Sequence, residues 1–145
     1  MIKSGQVVLP AGGRGQIGPV YVDNLVDGVT LAAASPDAVG EIFTIADGYA
    51  IEVGDFFGRY ATMLGKSSPR TLPTAVARSI AAAGGRIEKT LGRDTEMSSA
   101  SIDYIAKRGA YSIEKARRVL GYEPKVGLDE GMRRCEEWLR AEGLV

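Results

Sequence analysis

The stretch VVLPAGGRGQIG, residues 7–18, runs from a short apolar segment into a glycine cluster, and the residues just beyond it decide how the chain is read. Gly13, Gly15 and Gly18 fit G-x-G-x-x-G, and Gly12, Gly15 and Gly18 fit the wider G-x-x-G-x-x-G spacing. Such loops hold dinucleotides because glycine lets the backbone close on a pyrophosphate that rests on the N-terminus of the next helix. Here the next residues are Pro19, Val20, Tyr21 and Val22. Proline beyond a first turn removes a helical hydrogen bond and pushes its predecessor out of the α region, and VYV favours an extended strand. The expected acidic residue also fails, since Asp47 lies well beyond the usual spacing of about 20 residues. The glycines therefore read as a flexible turn between two short strands, residues 7–9 and 20–22.

With 145 residues, 45% of them hydrophobic and 25% charged, the chain has the composition of one ordinary globular domain, residues 1–145. Eighteen basic residues balance eighteen acidic ones, so no net field points to nucleic acid or an anionic membrane as partner. Cys135 is the single cysteine and histidine is absent, which removes an internal disulfide, the usual zinc sites and the Ser-His and Cys-His constellations. No metal site is expected. No apolar run approaches the roughly 20 residues of a membrane span and no signal-peptide pattern opens the chain, so the cytoplasm is the expected location.

Beyond the glycines, Asp23 or Asn24 is placed to cap a helix through Ala34 whose buried side would carry Leu25, Val26, Val29 and Ala33, with Pro36 ending it. EIFTIA, residues 41–46, alternates like a strand and stops at the turn pair Asp47-Gly48. Val53, Phe56, Phe57, Tyr60 and Leu64 make the clearest amphipathic helix, closed by Gly65. Thr74 begins an alanine-rich helix that Gly84-Gly85 interrupts or ends, and Ser98 or Ser101 begins a shorter one with Ile102 and Ile105. Ser112 caps a helix to Leu120 with Gly121 as its left-handed stop, and Leu128, Met132, Cys135 and Leu139 stripe a terminal helix closed by Gly143. The pattern predicts an α/β (α+β) fold, with short strands in a small mixed sheet and about five helices.

Tyr111-Ser-Ile-Glu-Lys115 matches the Tyr-x-x-x-Lys in which lysine lowers a phenol pKa for acid/base work. Both side chains must share one helical face for that. Because Ser112 is the expected N-cap, Tyr111 falls outside the helix and is assigned to packing on an apolar neighbour at its entry.

PVYVDNLVDGVTLAAA (residues 19–34), GEIFTIADG (40–48), YSIEKARRVLGYEP (111–124) and LDEGMRRCEEWLRAEGL (128–144), in this order, resemble the C-terminal, substrate-binding part of extended short-chain dehydrogenase/reductases. The likeness is to the NAD-dependent epimerase/dehydratase and 3-beta-hydroxysteroid dehydrogenase-like branch. It implies that the family's N-terminal Rossmann part, with its cofactor loop and its tyrosine and lysine, is not in these residues, since a doubly wound domain needs two further βαβαβ halves. The chain is then expected to be a fragment: a lobe inactive alone that takes NAD or NADP only as part of a complete enzyme oxidising or epimerising a secondary alcohol, such as a sterol or sugar nucleotide.

The resemblance places Tyr21 and Asn24 at a strand-to-helix junction near a substrate cleft, with packing and capping as the alternative. Arg86 and Arg108 are candidates to meet an anionic substrate group, with plain solvation as the alternative. No catalytic or cofactor-binding residue is assigned within the chain. Two other functions remain open: a catalytically silent binding or oligomerisation module, and a minimal dinucleotide binder using Gly12–Gly18. The expected partner is either the missing Rossmann lobe or a second copy, because removal of the sheet would leave the 41–46 strand and the apolar side of the 25–34 helix uncovered.

Overall fold

The computed structural model describes residues 8–90 and 99–144, the backbone alone for 85–90 and 99. The chain divides into two compact units, residues 1–17 with 51–109 and residues 18–50 with 110–145. Among the described residues there are six α-helices and four strands of two residues each, an α/β fold with parallel and antiparallel pairing, as the sequence predicts.

In the first unit, β1 (Val8–Leu9) pairs in parallel with β4 (Arg70–Thr71), and β2 (Gln16–Ile17) pairs antiparallel with β3 (Ile51–Glu52). The glycine cluster links β1 to β2 through a 3-10 turn at Ala11–Gly13, so it leads into a strand and not a helix. The amphipathic helix α2 (Val53–Met63) buries Val53 and Ala61, and Gly65 turns the chain away at φ +62°. Phe56 meets Phe57 and Tyr60 edge to face with ring centroids 5.7 and 5.4 Å apart.

Helix α3 (Thr74–Thr90) runs through Gly84 and Gly85, where the sequence predicts an interruption. Each glycine costs a helix about 1 kcal/mol relative to alanine, which the surrounding alanines and the packing of Ala77 and Ala81 on Ile102 of α4 (Ser99–Ala106) offset. Ser98, one of the two expected starts of α4, lies outside the described residues.

In the second unit, α1 (Val22–Ala34) stops before Pro36 as expected, and α5 (Glu114–Leu120) ends at Gly121 with φ +66°. The terminal helix α6 (Leu128–Ala141) gives way to Gly143 at φ +65°. The core gathers Ala46, Ile113, Ala116, Leu120 and Tyr122, with Phe43 and Ile45 packed against it.

Three local expectations fail around α1. Residues 20–22 form no ladder; Pro19 C=O accepts from Asp47 N–H and Tyr21 N–H donates to the Asp47 carboxylate, so this backbone is bound to a turn and not to a strand. The helix is capped at Tyr21, two residues before Asp23 and three before Asn24, the two expected caps, and Tyr21 makes no side-chain cap of its own. Its inward face carries Asn24 and Gly28, while Val22, Leu25, Val26 and Val29 stay 40–59% exposed. Gly28 faces inward because Ile45 is already there: an added Cβ would stand 2.8 Å from Ile45 Cγ2.

Residues 41–46 alternate as expected, with Phe43 and Ile45 toward the core and Ile42 and Thr44 exposed, yet they pair with no strand among the described residues.

Candidate functional site

The polar centre of the second unit is built on Asn24, which is 1% exposed. Its Nδ2 donates to Asp47 Oδ1 at 2.7 Å and to Val126 C=O at 2.8 Å. Its Oδ1 accepts from the N–H groups of Lys125 and Val126 at 2.9 and 3.0 Å. Two donor hydrogens and two lone pairs are thereby all used, which is the full capacity of an asparagine side chain. Asp47, itself buried, takes Tyr21 N–H on both carboxylate oxygens at 3.1 and 3.2 Å. The Tyr122 hydroxyl donates to Ala46 C=O at 3.0 Å, and burial, followed by the nearby Asp47 carboxylate, holds this phenol above its ordinary pKa.

Tyr21 packs on α6 at Gly131, where any Cβ would lie 2.9 Å from the ring, and Arg134 stands over its face at 5.7 Å. Arg133 and Arg134 both grip Glu130, whose carboxyl they pull down from 4.5 to about 2, Arg133 contributing most. Tyr21 and Asn24 are therefore brought together, through Asp47, but Asn24 has no polar group left over for a ligand. Asp47 and Tyr122 escape sequence reasoning as site residues; an Asp-Gly pair signals a turn, and nothing local reveals that its carboxylate is shared with residue 24.

The glycine loop of the first unit has a different architecture from a phosphate cradle. Ala11, Gly12 and Gly13 are left-handed in succession, at φ +55°, +64° and +75°. The N–H groups of Gly12, Gly13 and Arg14 donate to Leu72, Pro10 and Ala11 carbonyls, leaving those amides engaged within the protein. Gly15 faces α4 so closely that a Cβ would sit 1.8 Å from Ile105 O. These residues do not fit a dinucleotide pyrophosphate: the donors that would hold it are spent, and no helix comes next to supply a dipole.

Tyr111 lies outside α5, as the sequence predicts, and is 64% exposed. Lys115, inside α5, donates to Glu41 at 2.5 Å and to Ile42 C=O at 3.0 Å, and lies 5.0 Å above the Phe43 ring. The hydrogen bond from Lys115 lowers the Glu41 pKa. Lysine and tyrosine thus serve different surroundings. Ser112 Oγ does accept from Glu114 N–H at 3.2 Å, although Ile113 occupies the N-cap position. Arg108 is exposed in the loop after α4, whose Gly109 N–H donates to Gln16 Oε1 at 2.9 Å. Arg86 lies on α3 and its side chain falls outside the described residues. Among the described residues no cluster of acidic and cysteine side chains could hold a metal ion, and no helix is long and apolar enough to cross a membrane.

The fold is similar to that of a part of solved epimerases, which agrees with the resemblance to extended short-chain dehydrogenase/reductases drawn from the sequence. In particular, the chain is similar to the uncharacterized protein y4nL of Sinorhizobium fredii, at 34% identity over 99% of this chain and 42% of that protein. It is also similar to the decarboxylating sterol-4-alpha-carboxylate 3-dehydrogenase erg26 of Schizosaccharomyces pombe, at 28% identity over 77% of this chain and 34% of that enzyme. Among solved structures, the UDP-glucuronic acid 4-epimerase of Bacillus cereus in complex with NAD superposes with a TM-score of 0.61 at 17% identity, covering 97% of this chain and 38% of the epimerase. No protein-family model matches the chain. The chain spans less than half the length of each of these relatives.

Proposed function

We propose that residues 1–145 act as the substrate-binding lobe of an NAD(P)-dependent oxidoreductase or epimerase working on a secondary alcohol. The observation that carries this reading is the extent of the likeness: nearly the whole chain superposes on a minor part of an epimerase that holds NAD. The engaged amides of the glycine loop support a division of labour in which the cofactor and the acid/base pair come from a nucleotide-binding half. Arg108, exposed on its loop, is proposed to meet an anionic group of the substrate, and Tyr21 and Asn24 to hold the shape of the lobe that presents it.

The test compares the chain alone with a chimera in which it replaces the matched stretch of the Sinorhizobium fredii relative. NADH titrated at submillimolar concentration should leave the fluorescence of the chain alone unchanged and saturate with the chimera. A one-to-one NADH isotherm for the chain alone, lost in Gly12→Ala, would overturn this reading in favour of a minimal dinucleotide binder. A chimera that binds NADH but oxidises or epimerises no sugar nucleotide or sterol alcohol would favour the catalytically silent module.

A further inference from the structure

The neutrality of the whole chain conceals a segregation of charge between its two units. Residues 1–17 with 51–109 hold eleven basic and six acidic residues, a net +5, and residues 18–50 with 110–145 hold seven and twelve, a net −5. A field that cancels over the chain is therefore present over each unit, with opposite sign.

Each unit also turns an apolar helix face to solvent. In the basic unit the face belongs to α3, which packs inward through Ala77 and Ala81 on Ile102. Its other side carries Val76 and Ile80, one turn apart and 45 and 55% exposed, among exposed Ala75, Ser79 and Ala83. From Thr74 to Gly84 the one charged residue is Arg78, and the exposed charges just ahead of the helix, Lys66 and Arg70, are basic as well. Asp103 lies 3.7 Å from Arg78, with both side chains more than half exposed. In the acidic unit the exposed stripe of α1, Val22, Leu25, Val26 and Val29, is interleaved with Asp23 and Asp27.

We propose that α3 lies flat on the surface of a bilayer containing anionic lipid. Val76 and Ile80 enter the boundary between headgroups and acyl chains, and Lys66, Arg70 and Arg78 meet the anionic headgroups. Charge selects this occupant: apolar side chains flanked by basic ones on a helix are what an anionic interface attracts, whereas α1, equally apolar, carries the sign that such a surface repels. Relief selects it over a protein. Apart from Val76 and Ile80 the apolar positions of the face are alanines, which offer little for a partner to interlock with, whereas a fluid surface requires only apolar area and charge. The helix, about 25 Å long at 1.5 Å per residue and interrupted by charge, lies on the bilayer and does not span it. Two side chains of this size bind weakly by themselves, so attachment requires the basic residues too and is reversible.

Flotation of the full chain with lipid vesicles tests this. The chain should rise with phosphatidylcholine vesicles containing about a third phosphatidylserine and stay behind with phosphatidylcholine alone, and about 1 M salt, where charges are screened beyond about 3 Å, should release it. Val76→Ser combined with Ile80→Ser should weaken partitioning at least about tenfold, and Lys66→Gln and Arg70→Gln about fivefold each, the share of one basic residue near an anionic surface. Val26→Ser, on the stripe of α1, should leave it unchanged. Val76 and Ile80 are exposed, so their double variant should melt in urea as the native chain does; the basic variants and the lipid and salt dependence provide the same test if it does not. Equal flotation with neutral vesicles, no flotation with either kind, or flotation that survives both the α3 and the basic substitutions would overturn the proposal. A chain that ignores vesicles but forms a salt-sensitive complex with duplex DNA would overturn it in favour of a nucleic acid. A chain that ignores vesicles but dimerises in light scattering, and loses the dimer with Val76→Ser and Ile80→Ser, would overturn it in favour of a second copy.

Discussion

Asn24 Nδ2 donates to Asp47 Oδ1 across 2.7 Å, joining the first turn of α1 to the end of the 41–46 segment. The pair is buried, and each member is also tied to backbone: Asn24 to residues 125 and 126, Asp47 to Tyr21. One side chain therefore fastens three separate stretches of the second unit.

Replacing it should be expensive. Asn24→Ala leaves a buried carboxylate oxygen, a carbonyl and two amides short of a partner, and a loss of about 2–4 kcal/mol in unfolding free energy is expected from the cost of stranding such groups. Asp47→Asn, which keeps the size but turns one acceptor into a donor facing donors, should cost about 1–2 kcal/mol on the same scale. Urea melts of the two variants check this; a change below about 0.5 kcal/mol for Asn24→Ala, the level of a surface substitution, would show the network to be incidental.

Gly15 separates the two readings of the glycine loop by folding alone. Its Cβ has no room against Ile105 O, so Gly15→Ala should unfold the first unit or destabilise it by more than about 3 kcal/mol, the scale of severe core strain. Gly65→Ala meets nothing within 4 Å and bears only the strain of φ +62°, about 1 kcal/mol. Thermal melts that rank the two variants the other way would contradict the packing role. For the same reason Gly15→Val reports on folding, and Gly12 is the better probe of cofactor binding.

At Gly28 two effects oppose each other. Alanine is the better helix former by about 1 kcal/mol, but its methyl would press on Ile45 at 2.8 and 2.9 Å, and overpacking typically costs about 1–3 kcal/mol. Gly28→Ala is expected to destabilise, and combining it with Ile45→Ala should recover part of the loss. Additive destabilisation in the double variant would rule out the steric account.

Glu130 links stability to pH. Its carboxyl is depressed in the folded chain, from 4.5 to about 2, by Arg133 and Arg134. A depressed acid adds stability above its unfolded value, and that contribution disappears as pH falls through the folded one. The melting-temperature difference between the native chain and Glu130→Gln should be constant above the unfolded value, shrink between pH 4.5 and 2, and vanish below. The group is on the surface, so the difference should be small and should fall in high salt. A difference that grows on acidification would contradict this linkage.

Tyr111→Phe in the chimera with the Sinorhizobium fredii relative should alter turnover by no more than about twofold, because Lys115 is committed to Glu41 and Ile42 and the ring lies outside α5. A loss on the order of a thousandfold, as when an acid/base group is removed, would make the Tyr-x-x-x-Lys match catalytic after all.

The sequence by itself determined what local chemistry controls. Gly65, Gly121 and Gly143 each end a helix in the left-handed region, Pro36 stops α1, and the alternation of residues 42–45 sets which side chains face the core. The order of the motifs was enough to place the family resemblance, and Pro19 was enough to keep Gly18 out of a helix, although α1 starts soon after, at Val22. Only the tertiary structure decided which face of α1 is inward. Apolar periodicity marks a stripe to be covered but not the surface that covers it, and here the stripe faces away from the unit's own core. The helix is turned by a side chain whose partners lie 23 and 102 residues away, at Asp47 and Val126. Likewise Gly15 is required by a carbonyl of α4, some 90 positions along the chain in sequence and in contact only after folding.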